Sequence, residues 1–319
     1  MDNRKSIKSG IINVYKEAGY TSHDVVAKMR GILGMKKIGH TGTLDPDATG
    51  VLPVCIGKAT KVCELLTGED KTYRCVMLLG QCTDTQDASG CVLSECPVNL
   101  TEKAVEEAAR SFLGAYDQVP PMYSALKVQG KKLYELARAG KEVERAPRRV
   151  MIHRLEVISI DLPRVVMEVT CSRGTYIRTL CHDIGSKLGC GACMERLERT
   201  RVAGFSMEES HRLSELEAAV REGTIDQWVI PVDRLFSDCP EATVREEYQK
   251  ALDNGNRLPL AALFGRNGQD GPEQVRLYDG QDGPKQVRLY DSAGRFVGLY
   301  QYQKREADFK PVKIFYEKE

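Results

Sequence analysis

"GHTGTLDPDATGVLPVCI", residues 39–56, is the stretch on which the reading of this chain turns. Its first twelve residues hold three glycines, three threonines, one of the chain's five histidines, and two carboxylates, Asp45 and Asp47, on either side of Pro46. So many breakers exclude an ordinary helix or strand, and the ordered chemistry is more than a linker requires. An apolar run from Val51 to Ile56 follows directly.

Working outward, "TSHDVVAKMRGILG" places Thr21 and Asp24 in capping-box spacing ahead of a helical stripe of Val25, Val26, Met29, Ile32 and Leu33, ending near Gly34. Past the apolar run comes a short helical pattern through Val62, Leu65 and Leu66. In "TYRCVMLLG" Tyr73, Cys75, Met77 and Leu79 alternate onto one face of a strand. A helix is expected at 101–113, strands near 150–160 and 165–171, a helix from about 175 to 188 stopped by Gly189, and another capped by Ser214 and Glu217 that ends near Gly223. After Cys239 and Pro240 the texture changes to a helical "VREEYQKAL" and then short strands and turns, so a domain boundary is expected near residue 238. "GQDGPEQVRLYD" (268–279) and "GQDGPKQVRLYD" (280–291) differ at one position. A single duplication is too short for a solenoid. It is expected to add a hairpin-like protrusion without catalytic meaning.

Composition narrows the function. With 42% hydrophobic and 29% charged residues the chain reads as globular, and a net charge of +1 means that any polyanion site must be a local patch. One such patch is visible at about 124–149. Lys127, Lys131, Lys132, Arg138, Lys141, Arg145, Arg148 and Arg149 there face only Glu135, Glu142 and Glu144. No apolar run resembles a signal peptide or a membrane span, which leads us to expect the cytoplasm. Eleven cysteines, scattered through apolar runs, suit reduced packing thiols. Cys190 and Cys193 form a CxxC, but no second pair completes a zinc site, and no metal is expected.

The two aspartates admit several chemistries. A calcium loop starting at Asp45 would need a glutamate where Ile56 stands. A P-loop read from Gly50 to Lys58 has six residues between its glycines where four are required, and Ala59 replaces the magnesium-binding hydroxyl. D-x-D-x-T also suits a magnesium-dependent phosphohydrolase, although "GHTGTL" is not the apolar strand that delivers such an aspartate. The remaining reading needs only Asp45, a carboxylate ionised at neutral pH and held in a tight loop as a nucleophile or cation stabiliser at a sugar carbon. Arg178 adds an independent hint: a cation in the first turn of a helix is misplaced against the macrodipole, so an anion should stand nearby, and Asp183 or a phosphate would also serve.

"KKIGHTGTLDPDATGVLPVCIGKATK" resembles the signature of the bacterial tRNA pseudouridine-55 synthases, the TruB family. "KTYR", "QCTDTQDASG", "VPPMYSALKVQGKKLYELARAG" and "CSRGTYIRTLCHDIGSKLGCGA" follow in the family's order. Glu17 stands where the family often has proline. The resemblance implies an α+β fold with a mixed, largely antiparallel sheet and flanking helices over residues 1–238, then a small PUA-like β-barrel over 239–319. It implies Asp45 as the catalytic residue for isomerising the T-arm uridine of tRNA, extruded from its stack, without a cofactor. Tyr73 would stack on the base, Arg178 would pair with Asp45, Tyr176 and Leu197 would wall the pocket, and His40 would lie near the displaced base. The basic insertion would grip RNA phosphates. A monomer with no obligate protein partner is expected. A non-catalytic RNA-binding or RNA-folding protein on the same scaffold is the alternative from another class.

Overall fold

The computed structural model describes residues 7–128, 130–265, 279–280, 283–284 and 286–315. Its largest sheet runs, in spatial order, Gly10–Lys16, Thr49–Ile56, Ala192–Val202, Lys71–Leu79, Arg164–Cys171, Arg148–Asp161 and Gly114–Gln118, with Ile38–His40 and Phe205–Ser206 as short additions. Every neighbour along that path is antiparallel except Thr49–Ile56 with Ala192–Val202. The expected mixed, largely antiparallel α+β architecture is therefore present.

The period-2 pattern of "TYRCVMLL" explains the centre of this sheet. Tyr73, Cys75, Met77 and Leu79 are buried against Val165, Met167 and Val169 and the helices Glu102–Arg110 and Ile177–Leu188. On the strands Gly10–Lys16 and Thr49–Ile56, Ile12, Val14, Leu52 and Val54 meet the helices Ser22–Leu33 and Leu213–Glu222. The opposite faces of those strands, through Ile11, Val51 and Cys55, pack on Val62, Leu66, Phe205 and Phe236.

Local signals place most helix ends. Thr21 and Asp24 form the capping box, and Gly34 terminates that helix at φ 63°. The helix expected at 101–113 stops at Arg110, because the chain turns to begin Gly114–Gln118. The helix expected from Thr175 begins at Ile177. Ser214 is not a cap. The helix starts at Leu213, and Glu215 accepts from the Arg212 amide, so the capping position lies two residues earlier, where Leu213 can enter the core.

The C-terminal region forms a six-stranded barrel-like sheet, in the order Leu258–Pro259, Asp308–Ile314, Phe296–Gln303, Gln286–Tyr290, Glu241–Val244, Leu263–Gly265. Val244, Leu258, Val287, Leu289, Tyr300 and Phe309 fill its core. It joins the larger sheet through Phe315 and Leu299, which pack with Val51, Val62 and Phe236. "VREEYQKAL" is helical only in a turn at Glu246–Tyr248 and a short helix Gln249–Asp253. From the duplicated segment, "QVRLY" of the second copy is the strand Gln286–Tyr290. The expected protrusion lies largely outside the described residues.

Candidate active site

The signature loop follows the short strand Ile38–His40, and two buried cations hold it from beneath. Lys16, the last residue of its strand, is fully buried and donates to Pro46 O at 2.9 Å, Ala48 O at 2.6 Å and Glu17 O at 3.1 Å. Arg199 donates from Nε to Val51 O at 2.7 Å and from Nη2 to Gly42 O at 3.3 Å. The register explains why these two serve together. Lys16 pairs with Gly50, Gly50 with Arg199, and Arg199 with Tyr73, so the four stand side by side across the sheet. Gly50 has φ 108°, and a Cβ there would lie 2.2 Å from Arg199 O; glycine is required where the strands approach. The N-terminal loop adds a tie, Gly19 N to Pro46 O at 3.0 Å. Glu17, where proline was the family expectation, pairs with Arg212 at 2.9 Å.

Burial lowers the Lys16 ammonium from 10.5 to about 8, against the opposing pull of Asp47 and Asp45. The unfolded chain keeps that proton up to about 10.5. Between pH 8 and 10.5 it therefore binds more protons than the folded protein, and this group makes stability rise with pH. Lys16→Met should abolish that contribution, measured as a smaller gain in urea midpoint from about pH 7.5 to about pH 10 than the parent shows.

The loop presents Asp45 to a cleft of about 790 Å³, also lined by Thr85, Asp87, Tyr123, Tyr134, Arg138, Arg178, Met194 and Leu197. The Asp45 side chain is 42% exposed, and its Oδ2 stands 3.5 Å from Arg178 Nη2. Arg178 itself is buried at the start of the Ile177–Leu188 helix. Its Nη2 also donates to Tyr123 O at 2.7 Å, and its Nη1 reaches Asp87 Oδ2 at 3.4 Å. The anion that a first-turn arginine calls for is thus a pair of carboxylates. Asp183, the nearest alternative in sequence, accepts from Tyr116 instead.

Asp87 was not foreseen as a site residue. It sits on a loop where Gln86 takes φ 66°, Gln86 O and Ala88 N pair with the Met194 backbone, and Thr179 Oγ1 donates to Gln86 Oε1 at 2.7 Å. Asp87 Oδ1 accepts from Thr85 and Ser89, which leaves Oδ2 for Arg178. The D-A-S spacing was a legible signal for such a turn. Nothing local, however, points it at residue 178. Lys16 and Arg199 were missed for the same reason.

The other expected residues occupy different depths. Leu197 lines the cleft, whereas Tyr73 is 8% exposed and lies beneath, with burial raising its phenol and Arg199 beside it opposing that rise. Tyr176 caps the Arg178 helix; its ring centroid is 5.8 Å from that guanidinium, and it stays outside the lining. His40 is also outside. Its Nδ1 accepts from Gly42 N, its ring meets His23 edge-on at 5.4 Å, and burial lowers its imidazole. In the basic insertion Lys127, Lys131, Lys141, Arg148 and Arg149 are exposed. Arg138 lines the cleft over the Tyr134 ring, and Lys132 also lies on that ring. Arg145 is turned inward to Pro120 O and Glu142. Cys190 and Cys193 are buried free thiols, both raised by burial, the second to about 11. Among the described residues no helix is long and apolar enough to cross a membrane.

Residues 30–177 match the N-terminal domain of the TruB family pseudouridylate synthases, and residues 178–237 match the tRNA pseudouridylate synthase B C-terminal domain. A tRNA pseudouridine synthase B of Lachnoclostridium phytofermentans is 49% identical, the alignment covering 96% of this chain and 99% of that one. Its counterpart in Burkholderia lata is 46% identical over 86% and 85%. Among solved structures, the crystal structure of a Cbf5-Nop10-Gar1 complex contains a chain that superposes with TM-score 0.68 at 26% identity, covering 96% of this chain and 85% of that one. Fold and relatives agree on an isomerase of the pseudouridine synthase class. The chain belongs to the TruB family of pseudouridylate synthases.

Proposed function

We propose that this isomerase converts the T-arm uridine at position 55 of tRNA to pseudouridine, with Asp45 as the nucleophile. The observation that carries the reading is the Asp45 carboxylate, 3.5 Å from a buried guanidinium at the cleft. A half-exposed carboxylate beside a guanidinium can reach an incoming nucleotide. The names of the relatives supply the tRNA substrate. In the reaction the N1–C1′ bond breaks, C5 joins C1′, C5 gives up its proton and N1 gains one. No cofactor or water enters the balance.

The uridine leaves its stack to reach Asp45, at the cost of a few kcal/mol. Leu197 offers an apolar wall, and the base moves past it toward Tyr73, with Tyr176 and His40 beyond the lining. Residues 1–238 carry this chemistry, and the barrel of 239–319 supports the RNA. The protein acts as a monomer in the cytoplasm. Incubation with unmodified tRNA transcript, followed by mapping of pseudouridine, tests the assignment; modification confined to another position would overturn it.

The basic insertion grips phosphates, so affinity falls steeply with salt. With Lys127→Ala and Lys131→Ala combined, the slope of log K against log salt concentration should shrink by about 2, one unit per lost phosphate contact. Turnover at saturating RNA should stay unchanged. Filter binding at several salt concentrations measures the slope.

A further inference from the structure

Arg199 is the largest fully buried side chain of the protein's described residues, and none of its hydrogen bonds goes to a carboxylate. Its Nε and Nη2 meet backbone carbonyls, while Nη1 makes no hydrogen bond. Two more buried cations, Lys16 and Lys71, lie close enough for their positive charges to be felt mutually. Burying a guanidinium among cations without a counter-ion is unfavourable, and two carbonyls alone do not require a full charge. A neutral donor could satisfy both carbonyls without the cost of burying a charge. The charge at this position therefore needs another explanation.

Its surroundings supply one. The two bonded carbonyls belong to Gly42, early in the loop that carries Asp45, and Val51, in the strand that follows it, so the bonds flank the loop. Across the sheet Arg199 registers directly with Tyr73, which is 8% exposed, and Nη1 is the guanidinium nitrogen left without a hydrogen bond. We propose that Arg199 is a positioning residue that seats Asp45 and Tyr73 relative to each other, clamping the Asp45 loop by bonds that flank it and orienting the Tyr73 hydroxyl with its remaining donor. A planar fork with donors in three directions suits that task, and lysine, a point charge, suits it less. The inference rests on the assignment of Asp45 and Tyr73 to the reaction.

The test compares Arg199→Met, Arg199→Lys and Tyr73→Phe, alone and combined, under single-turnover conditions with tRNA transcript and with RNA affinity measured separately. Arg199→Met should lower the rate of isomerisation about 100-fold with RNA affinity changed less than threefold, since the residue does not touch the cleft surface. Arg199→Lys should recover part of that loss. In the Tyr73→Phe background the Arg199→Lys substitution should cost at least about fivefold less than in the parent, because the hydroxyl it orients is already gone. If Arg199→Met does not fold, the Lys and Phe variants alone complete the cycle. Losses that multiply independently, or a loss confined to RNA affinity, would overturn the proposal. A fully active Asp45→Asn enzyme would overturn the reading of the site itself, and this inference with it. Normal dependence on Asp45 with an indifferent Arg199 would overturn the inference alone.

Discussion

Asp45→Asn should abolish pseudouridine formation while leaving tRNA bound. The substitution preserves shape and keeps an oxygen toward Arg178, but an amide is not a nucleophile. The expected fall in turnover is at least about 10⁴-fold, the scale seen when a covalent catalytic group is removed. RNA affinity should stay within about threefold, because Asp45 occupies one point of the cleft and the proposed phosphate contacts lie on the insertion. Release of tritium from a transcript labelled at C5 of uridine reports the chemistry, and filter binding reports the complex. Residual activity within tenfold of the parent would remove Asp45 from the centre of the mechanism. Full activity loss with retained binding also separates the enzyme from a purely RNA-folding protein, since binding alone needs no nucleophile.

Arg178 should be nearly as sensitive, for a different reason. One buried guanidinium serves three partners from three segments: it hydrogen-bonds Asp87 Oδ2 and Tyr123 O and ion-pairs with Asp45 Oδ2. Arg178→Met leaves two carboxylates facing each other across an apolar side chain, a cost that solvent screens in part because Asp45 is half-exposed. Turnover should drop by roughly 10²–10³-fold, with a lower unfolding midpoint. Arg178→Lys keeps the charge, but one ammonium cannot span the three directions that the fork reaches, so activity should recover only in part. Arg178→Lys at parental turnover would show that charge alone, without the fork, is sufficient. Because Tyr123 leads into the basic insertion, the same variants should loosen that segment, seen as faster amide exchange around residues 123–138.

Much of this protein is readable from local chemistry. The alternation of Tyr73, Cys75, Met77 and Leu79 dictates one buried face, because successive strand residues point to opposite sides. Thr21, Asp24 and Gly34 delimit a helix by satisfying its terminal backbone groups. The run of glycines and Pro46 around Asp45 specifies a tight loop, and the oddly placed Arg178 announces a nearby anion. Where local reading went astray, packing outweighed propensity: Ser214 is a good cap by type, yet burial of Leu213 sets the helix start earlier.

What the amino-acid order determined by itself was the set of elements, the loop that carries Asp45 and the patch of basic residues, since each depends on neighbours within a few positions. Which residues meet was decided only in three dimensions. Nothing in "RLERTRV" marks Arg199 as buried, because alternating charges look like a solvated strand until Gly50 and Tyr73 close on either side. Asp87, Lys16 and Tyr123 likewise join the site through pairings between residues up to 91 positions apart, as between Asp87 and Arg178. Such contacts arise from sheet register and chain crossing, and the hydrogen bonds and charges that define the site exist only once those distant strands and loops are packed together.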